Sequence, residues 1–344
     1  MSTGKLRVAI NGFGRIGRGF VRVLAKRPEL LSQVEIVAIN DLGDVANLAY
    51  LLKYDSAHGQ FPMPVEAQGG ALVVNGMPIQ VLAERDPAKL PWGTMAVDVV
   101  VESTGIFETY EKASAHSTAG AKRVVISAPA KGDSKDGAMV LMGVNEFALE
   151  KCKVSSNASC TTNAISPIIA IMKESIGIEK ALLNTVHAYT ATQGLVDSPG
   201  GKDMRRGRAA AQNIVPASTG AASALGKIVP EVNGIFDGIA LRVPVVDGSI
   251  ADVTFVSKRS TTVEEVNKLL SDAAADERWK QIYTVSSEPL VSSDIVGNLH
   301  ASIADLTSTM VVGGNLVKIL AWYDNEMGYC NTLMEHVIKA GRIG

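Results

Sequence analysis

At 344 residues the chain exceeds what a single hydrophobic core usually spans, so two domains are expected. Its 47% hydrophobic and 20% charged residues exclude a disordered or fibrous protein, and a formal net charge of -2 argues against one that coats nucleic acid or a membrane surface. Cys152, Cys160 and Cys330 are too few for a disulfide framework and form no C-x-x-C metal or redox pair, and no apolar run reaches transmembrane length. The N-terminus leads straight into a strand pattern, and the expectation is a cytoplasmic protein with reduced thiols, no membrane contact and no metal.

In chain order, Leu6 to Ile10 reads as a strand feeding Asn11-Gly12-Phe13-Gly14-Arg15-Ile16-Gly17, which opens a helix carrying Ile16, Phe20, Val23 and Leu24 on one face. This is G-x-G-x-x-G in its structural context. Gly12 permits the tight turn, Gly14 lets the backbone approach a pyrophosphate, and Gly17 lets helix and strand pack closely. A second strand, Val34 to Ile39, ends at Asn40-Asp41. Asp41 lies 24 positions after Gly17, near the roughly 20-residue interval expected of the acid that holds an adenosine ribose. A carboxylate there repels a ribose phosphate and favours NAD over NADP.

Leu72 to Ile79 carries the Asn75-Gly76 hairpin signal and predicts an antiparallel insertion. The apolar runs Val97 to Val101 and Arg123 to Ile126 predict strands buried on both faces of a mostly parallel sheet. Ser103, Thr104 and Ser127 then lie at the carboxyl edge, where ligands bind, as secondary candidates beside ordinary turn chemistry.

The stretch Ser155 to Asn163 sets Cys160 among small hydrogen-bonding residues, ahead of Ala164, Ile165, Ile168, Ile169 and Met172 at helical spacing. Cys160 is thereby predicted at a helix N-terminus, where free amides and the helix dipole lower a thiol pKa towards neutrality. The strand Leu182 to Val186 ends at His187, a candidate base for that thiol. Lys202 to Arg208 is the densest basic segment, and Arg242 sits within the apolar strand Ile239 to Val243, where a buried guanidinium needs a partner or an anion. Ala251 to Val256 is a strand, Thr262 to Glu265 a capping box, and Leu316 to Leu320 a strand reaching Trp322 to Tyr329 before a terminal amphipathic helix. These elements predict a second, largely antiparallel sheet.

Together, Asn11 to Gly17, Ser156 to Asn163, His187 to Thr190, Pro216 to Gly220 and Trp322 to Glu326 closely resemble, in order and across essentially the whole chain, the phosphorylating glyceraldehyde-3-phosphate dehydrogenases. The resemblance implies a Rossmann-type α/β domain over residues 1-155, completed by the C-terminal helix at 322-344, and an α+β catalytic domain over 156-321. It implies Cys160 as nucleophile and His187 as its activator. Arg15, Ile16, Asp41, Arg85, Ser127 and Asn325 would contact NAD, beside the glycine loop and Thr104. Thr190 and Arg242 would hold the substrate's own phosphate, while Ser159, Thr161, Thr219, Gly220 and Arg206 would hold the attacking inorganic phosphate, with Arg205 and Arg206 open to exchanging roles. One departure is Ala164, where many members carry a second cysteine. A homotetramer is implied, with the loop from about 188 to 213 at a subunit contact.

The expected reaction is glycolytic and gluconeogenic. Cys160 thiolate adds to the aldehyde of glyceraldehyde 3-phosphate, the thiohemiacetal is oxidised by NAD, and inorganic phosphate cleaves the thioester to give 1,3-bisphosphoglycerate and NADH. Erythrose-4-phosphate dehydrogenase is the nearest rival, although Thr190, Thr192 and Ser218 to Gly220 look more like the triose enzyme. A silent dinucleotide-binding or RNA-associated protein is disfavoured by the intact Cys160 and His187, and nucleic-acid binding is unsupported because no aromatic-basic stripe appears.

Overall fold

The computed structural model describes residues 4–201 and 203–343, so Lys202 lies outside the described residues. The chain divides into two compact units, residues 1–158 with 330–344, and residues 159–329.

The first unit is built on a nine-stranded sheet in the order Gly137–Met139, Val154–Ser156, Arg123–Ile126, Val99–Glu102, Leu6–Asn11, Val34–Asn40, Met77–Leu82, Ala71–Val74 and Val65–Gln68. The first seven pair in parallel, and the last two join through antiparallel pairings. Val99, Val100 and Val101 are fully buried, as a strand covered on both faces requires. The predicted insertion is seen at the sheet edge, where Asn75 (φ 51°) and Gly76 (φ 76°) form the tight turn between Ala71–Val74 and Met77–Leu82.

Helix Arg15–Lys26 follows the glycine loop and buries Phe20, Val23 and Leu24, together with Arg18 and Arg22, whose guanidinium groups satisfy backbone carbonyls of Phe13, Leu52 and Gly59. A Cβ on Gly17 would stand 2.3 Å from the Gly12 carbonyl oxygen, so only glycine allows this helix so close to the turn.

The second unit carries a seven-stranded sheet, Val215–Ser218, Phe236–Val243, Ile178–Ala188, Ser249–Ser257, Leu316–Tyr323, Ser302–Val312 and Tyr283–Ser286. Four of its pairings are antiparallel and two parallel. Helix Cys160–Ser175 packs on one face with Ile165, Ile168, Ile169 and Met172 fully buried. Pro167 interrupts its backbone ladder, and the Ser166 hydroxyl donates to the Asn163 carbonyl that Pro167 cannot reach. Helix Val263–Ala274 is capped by Thr262, which accepts from the Glu265 amide, but the Glu265 carboxylate turns to Arg259 and Thr261, so only half of the expected capping box forms.

The chain leaves the first unit after Ala158 rather than at 155, and returns at Cys330 rather than at 322. The later return has a physical cause: Trp322 and Tyr323 continue the strand Leu316–Tyr323, pairing with Ile250 and Ser249 of the neighbouring strand. From Cys330 onward, helix Met327–Arg342 packs into the first unit. There His336 accepts from the Ser155 hydroxyl at 2.8 Å through Nε2 and donates to the Asn157 side-chain oxygen at 3.1 Å through Nδ1.

Burial pushes the His336 pKa down to about 3. Between that value and the ordinary ~6.5 the unfolded chain binds the proton and the folded one does not, so stability falls as pH drops through this window by on the order of 1 kcal/mol per pH unit. Replacing His336 with Gln should flatten the acid limb of a plot of denaturation midpoint against pH between 6.5 and 4. An unchanged slope would assign the acid sensitivity elsewhere.

Candidate active site

Ser159 is the N-cap of helix Cys160–Ser175, its hydroxyl accepting from the Thr162 amide at 3.0 Å, and Cys160 is the first helical residue. The preceding Ala158 is fully buried with φ 56°, a left-handed conformation uncommon for a residue with a Cβ, where the chain swings into the helix. Alternation along strand Ile178–Ala188 turns Ala181, Leu183, Thr185 and His187 to the buried face. His187 thereby meets the helix start, with Cys160 Sγ 3.4 Å from His187 Nε2.

Parallel register sets Arg242 beside His187. Its Nη1 lies 2.9 Å from His187 Nδ1 and donates to the Ala188 carbonyl at 3.0 Å. His187 Nδ1 thus stands 2.6 Å from that acceptor-only carbonyl as well as beside the donor-only guanidinium; with the ring proton on Nδ1, directed to the carbonyl, the Nε2 lone pair faces the thiol. Tyr323 packs edge-on against the His187 ring, and its hydroxyl bridges Thr161 at 2.9 Å and Thr185 at 2.8 Å.

Burial and then the positive charge of Arg242 hold the His187 pKa down to about 3. Burial also pushes the Cys160 thiol up, against the opposing pull of Arg242 and the amides at the helix start. The expected lowering of the thiol pKa is therefore not what the structure gives, because desolvation outweighs the helix-end field. What stands ready is a neutral thiol facing a neutral imidazole, a pair able to pass one proton from Sγ to Nε2.

Arg242 has no carboxylate partner among the described residues, and its buried Nε makes no hydrogen bond. Burial lowers its pKa. An unpaired guanidinium donor in a partly buried setting is a place for an anion. Arg206 is half-buried, 3.4 Å from the Thr192 hydroxyl and from the Ser218 carbonyl, and its charge acts on both His187 and Arg242. Arg205 is exposed, so Arg206 is the better placed of the two.

The Thr190 hydroxyl bonds that of Thr192 at 2.9 Å, while Thr219 and Gly220 stand at the start of helix Ala221–Ile228. The hydroxyls of Ser159 and Thr161 are engaged within the protein, with Thr162 and Tyr323 respectively. Asn325 accepts from Ser249 at 2.7 Å, leaving its amide nitrogen as a donor, and Ser249 in turn accepts from the Ala188 amide at 3.1 Å. Asp324 holds this turn by accepting amides of Gly297, Glu326 and Met327.

In the first unit a cleft of about 420 Å³ opens at the carboxyl edge of the parallel strands, lined by Gly12, Gly14, Asp41, Arg85 and Thr104 among others. Nothing lies within 4 Å of where a Gly14 Cβ would be, whereas a Gly12 Cβ would meet the Thr104 amide nitrogen at 2.7 Å. This leaves room for backbone to approach a pyrophosphate. Asp41 accepts amides of Phe13 at 2.7 Å and Gly43 at 2.8 Å, tying the glycine loop to the end of the second strand.

Arg15, expected to contact a cofactor, has its guanidinium clasped by Asp55. Burial alone would raise the Asp55 pKa, but Arg15 and the amides of His58 and Ala57 prevail and hold it at about 2. Ile16 and Gly17 lie in the helix behind the loop. Ser127 donates its amide to the Glu102 carbonyl. The Thr104 hydroxyl bonds Glu102 and accepts from the Ile106 amide, so it shapes the turn. Sequence reasoning missed Tyr323, Ser249 and Glu102. Tyr323 and Ser249 sit in strand patterns whose alternation alone could have turned them to the same face as His187.

The family model for the glyceraldehyde 3-phosphate dehydrogenase NAD binding domain matches residues 6–110, and that for its C-terminal domain matches residues 159–325. Glyceraldehyde-3-phosphate dehydrogenase 1 of Streptomyces avermitilis is 49% identical over 338 residues, covering 98% of each chain. Glyceraldehyde-3-phosphate dehydrogenase 1 of Bacillus subtilis is 47% identical over 98% of this chain and 99% of its own. The Salmonella typhimurium glyceraldehyde-3-phosphate dehydrogenase is 46% identical over 97% of this chain and 99% of its own. With both halves matched and identity sustained along almost the whole length, the chain belongs to the glyceraldehyde-3-phosphate dehydrogenase family.

Proposed function

We infer that Cys160 and His187 carry the reaction of this glycolytic, NAD-dependent dehydrogenase, and that Arg242 recognises the phosphate of glyceraldehyde 3-phosphate. The observation that carries the reading is the 3.4 Å contact between Cys160 Sγ and His187 Nε2 beside a guanidinium with an unpaired donor. His187 takes the thiol proton as Sγ adds to the aldehyde carbon, and helix-start amides stabilise the oxyanion of the thiohemiacetal. His187 then holds the hydroxyl proton as the carbon is oxidised. NAD, when bound, is the two-electron acceptor for that oxidation. Inorganic phosphate, held by Arg206, Thr219 and Gly220, attacks the thioester, and Cys160 departs as thiolate, leaving 1,3-bisphosphoglycerate.

Cys152 and Cys160 stand as thiols outside any disulfide, which supports a reducing, cytoplasmic setting. The exposed apolar side chains of Leu195, Val196, Met204 and Ile214 support a subunit contact in a homotetramer. Asn325, through its free amide nitrogen, and Asp41, Arg85 and the glycine loop are the proposed cofactor contacts. For Arg15 and Ile16 the proposed contact is through backbone amides at the helix start, and Ser127 remains a candidate at the sheet edge.

Cys160→Ser should keep NAD affinity and lower turnover on the order of a thousandfold or more, since a hydroxyl is far less nucleophilic near neutral pH. Near-normal steady-state rates would remove Cys160 from the chemistry.

Asp41→Asn keeps one acceptor for the loop amides and removes the charge, so NAD should bind roughly ten- to hundredfold more weakly while NADP is rejected less. Titration showing the original preference intact would move the ribose away from Asp41.

Arg242→Leu should cost on the order of 2 to 5 kcal/mol in kcat/KM for glyceraldehyde 3-phosphate and far less for unphosphorylated glyceraldehyde. Equal losses for the two aldehydes in a folded protein would place Arg242 in the scaffold instead.

A further inference from the structure

A line of buried polar side chains crosses the carboxyl edge of the first sheet beneath the dinucleotide cleft. Register opposes Asn11 to Asn40 on one side and to Glu102 on the other. Asn40 accepts from the Glu84 amide at 2.8 Å and donates to the Asn11 side-chain oxygen at 2.7 Å, and Asn11 Nδ2 donates to Glu102 at 2.6 Å. His116 Nε2 lies 3.0 Å from the same Glu102 oxygen, and Trp92 Nε1 lies 3.0 Å from His116 Nδ1. The other Glu102 oxygen takes the Thr104 amide at 2.9 Å and the Thr104 hydroxyl at 2.5 Å.

The directions of these bonds follow from chemistry alone. An indole N–H only donates, so His116 Nδ1 carries a lone pair and the ring proton sits on Nε2, aimed at Glu102. A carboxylate only accepts, so Asn11 must present its nitrogen to Glu102 and its oxygen to Asn40. Donation therefore converges on Glu102, from Asn11 on one side and from His116 on the other. Asn11, Asn40, Glu84 and Thr104 line the cleft. Trp92 and His116 do not; they are fully buried behind it.

We propose that His116, oriented by Trp92, is a positioning residue for NAD: through Glu102 it clamps the Asn11-Gly12 turn to the Ser103-Thr104 turn and so sets the floor on which the dinucleotide lies. The two turns cannot shift independently, because Gly12 is packed against the Ser103-Thr104 backbone with no room for even a Cβ. Losing the His116 donor leaves Glu102 short of one hydrogen bond in a buried place and loosens both turns at once.

The test compares His116→Leu, His116→Gln and Trp92→Phe in the full chain, reading NAD dissociation constant by titration and kcat at saturating NAD. Gln offers an N–H for Glu102 and an oxygen for the indole within one side chain. The Leu variant should bind NAD about tenfold or more weakly with kcat within twofold of wild type, and Gln should recover affinity to within about threefold. Trp92→Phe, which keeps the ring bulk but frees Nδ1 to take the proton, should weaken NAD severalfold and guards against a Leu variant that fails to fold. The proposal is overturned if the phenylalanine variant and whichever histidine variants fold bind NAD like wild type, if Gln is no better than Leu, or if kcat falls as far as affinity. A wild-type chain that fails to bind NAD would instead sink the dehydrogenase reading itself.

Discussion

Burial of helix Cys160–Ser175 against one face of the second sheet constrains almost everything in the catalytic unit. The apolar stripe that buries the helix also fixes its rotation and where its first residue lies, so the thiol is delivered to the inward-facing end of strand Ile178–Ala188. Inward alternation then leaves His187 as the polar group at that position, and parallel pairing brings Arg242 alongside. The Thr161–Tyr323–Thr185 hydroxyl chain pins the helix start to two strands at once. None of these contacts contributes more than a modest net free energy by itself. Their effect is geometric, holding the Cys160 thiol and the His187 imidazole 3.4 Å apart.

Much of this was legible in the sequence because periodicity encodes it. The glycine loop, the two valine-rich strands and the helical spacing after Cys160 each have a local pattern whose physics admits few structures. The partners of charged side chains were not legible. Arg15 reads as part of a cofactor fingerprint, yet its fork goes to Asp55, forty residues on, and no local pattern announces that pairing. The thiol's protonation was misjudged for a related reason. The helix-end field is visible from the sequence, whereas desolvation depends on everything packed around the sulfur. The return to the first unit at Cys330 was misplaced because Trp322 and Tyr323 look like a polar loop's aromatic edge but continue a paired strand.

The two candidate sites hold buried polar groups differently. Beneath the cleft of the first unit, the polar line from Glu84 through to Trp92 is hydrogen-bonded from residue to residue. The second leaves the Arg242 Nε without a protein partner. A satisfied network suits a surface that must keep its shape for a ligand that binds and leaves unchanged in its framework, whereas an unfilled donor stores a preference for an incoming anion.

The 2.9 Å approach of Arg242 to the His187 ring carries a thermodynamic obligation. The same cation that would bind a phosphate also depresses the proton affinity of the base. An anion that neutralises Arg242 must therefore strengthen His187 as a proton acceptor, and by reciprocity a proton on His187 must tighten the anion's hold by the same factor. With a phosphate placed at Arg242 as proposed, charge at one end of the pocket would be communicated to the imidazole at the other through a single guanidinium.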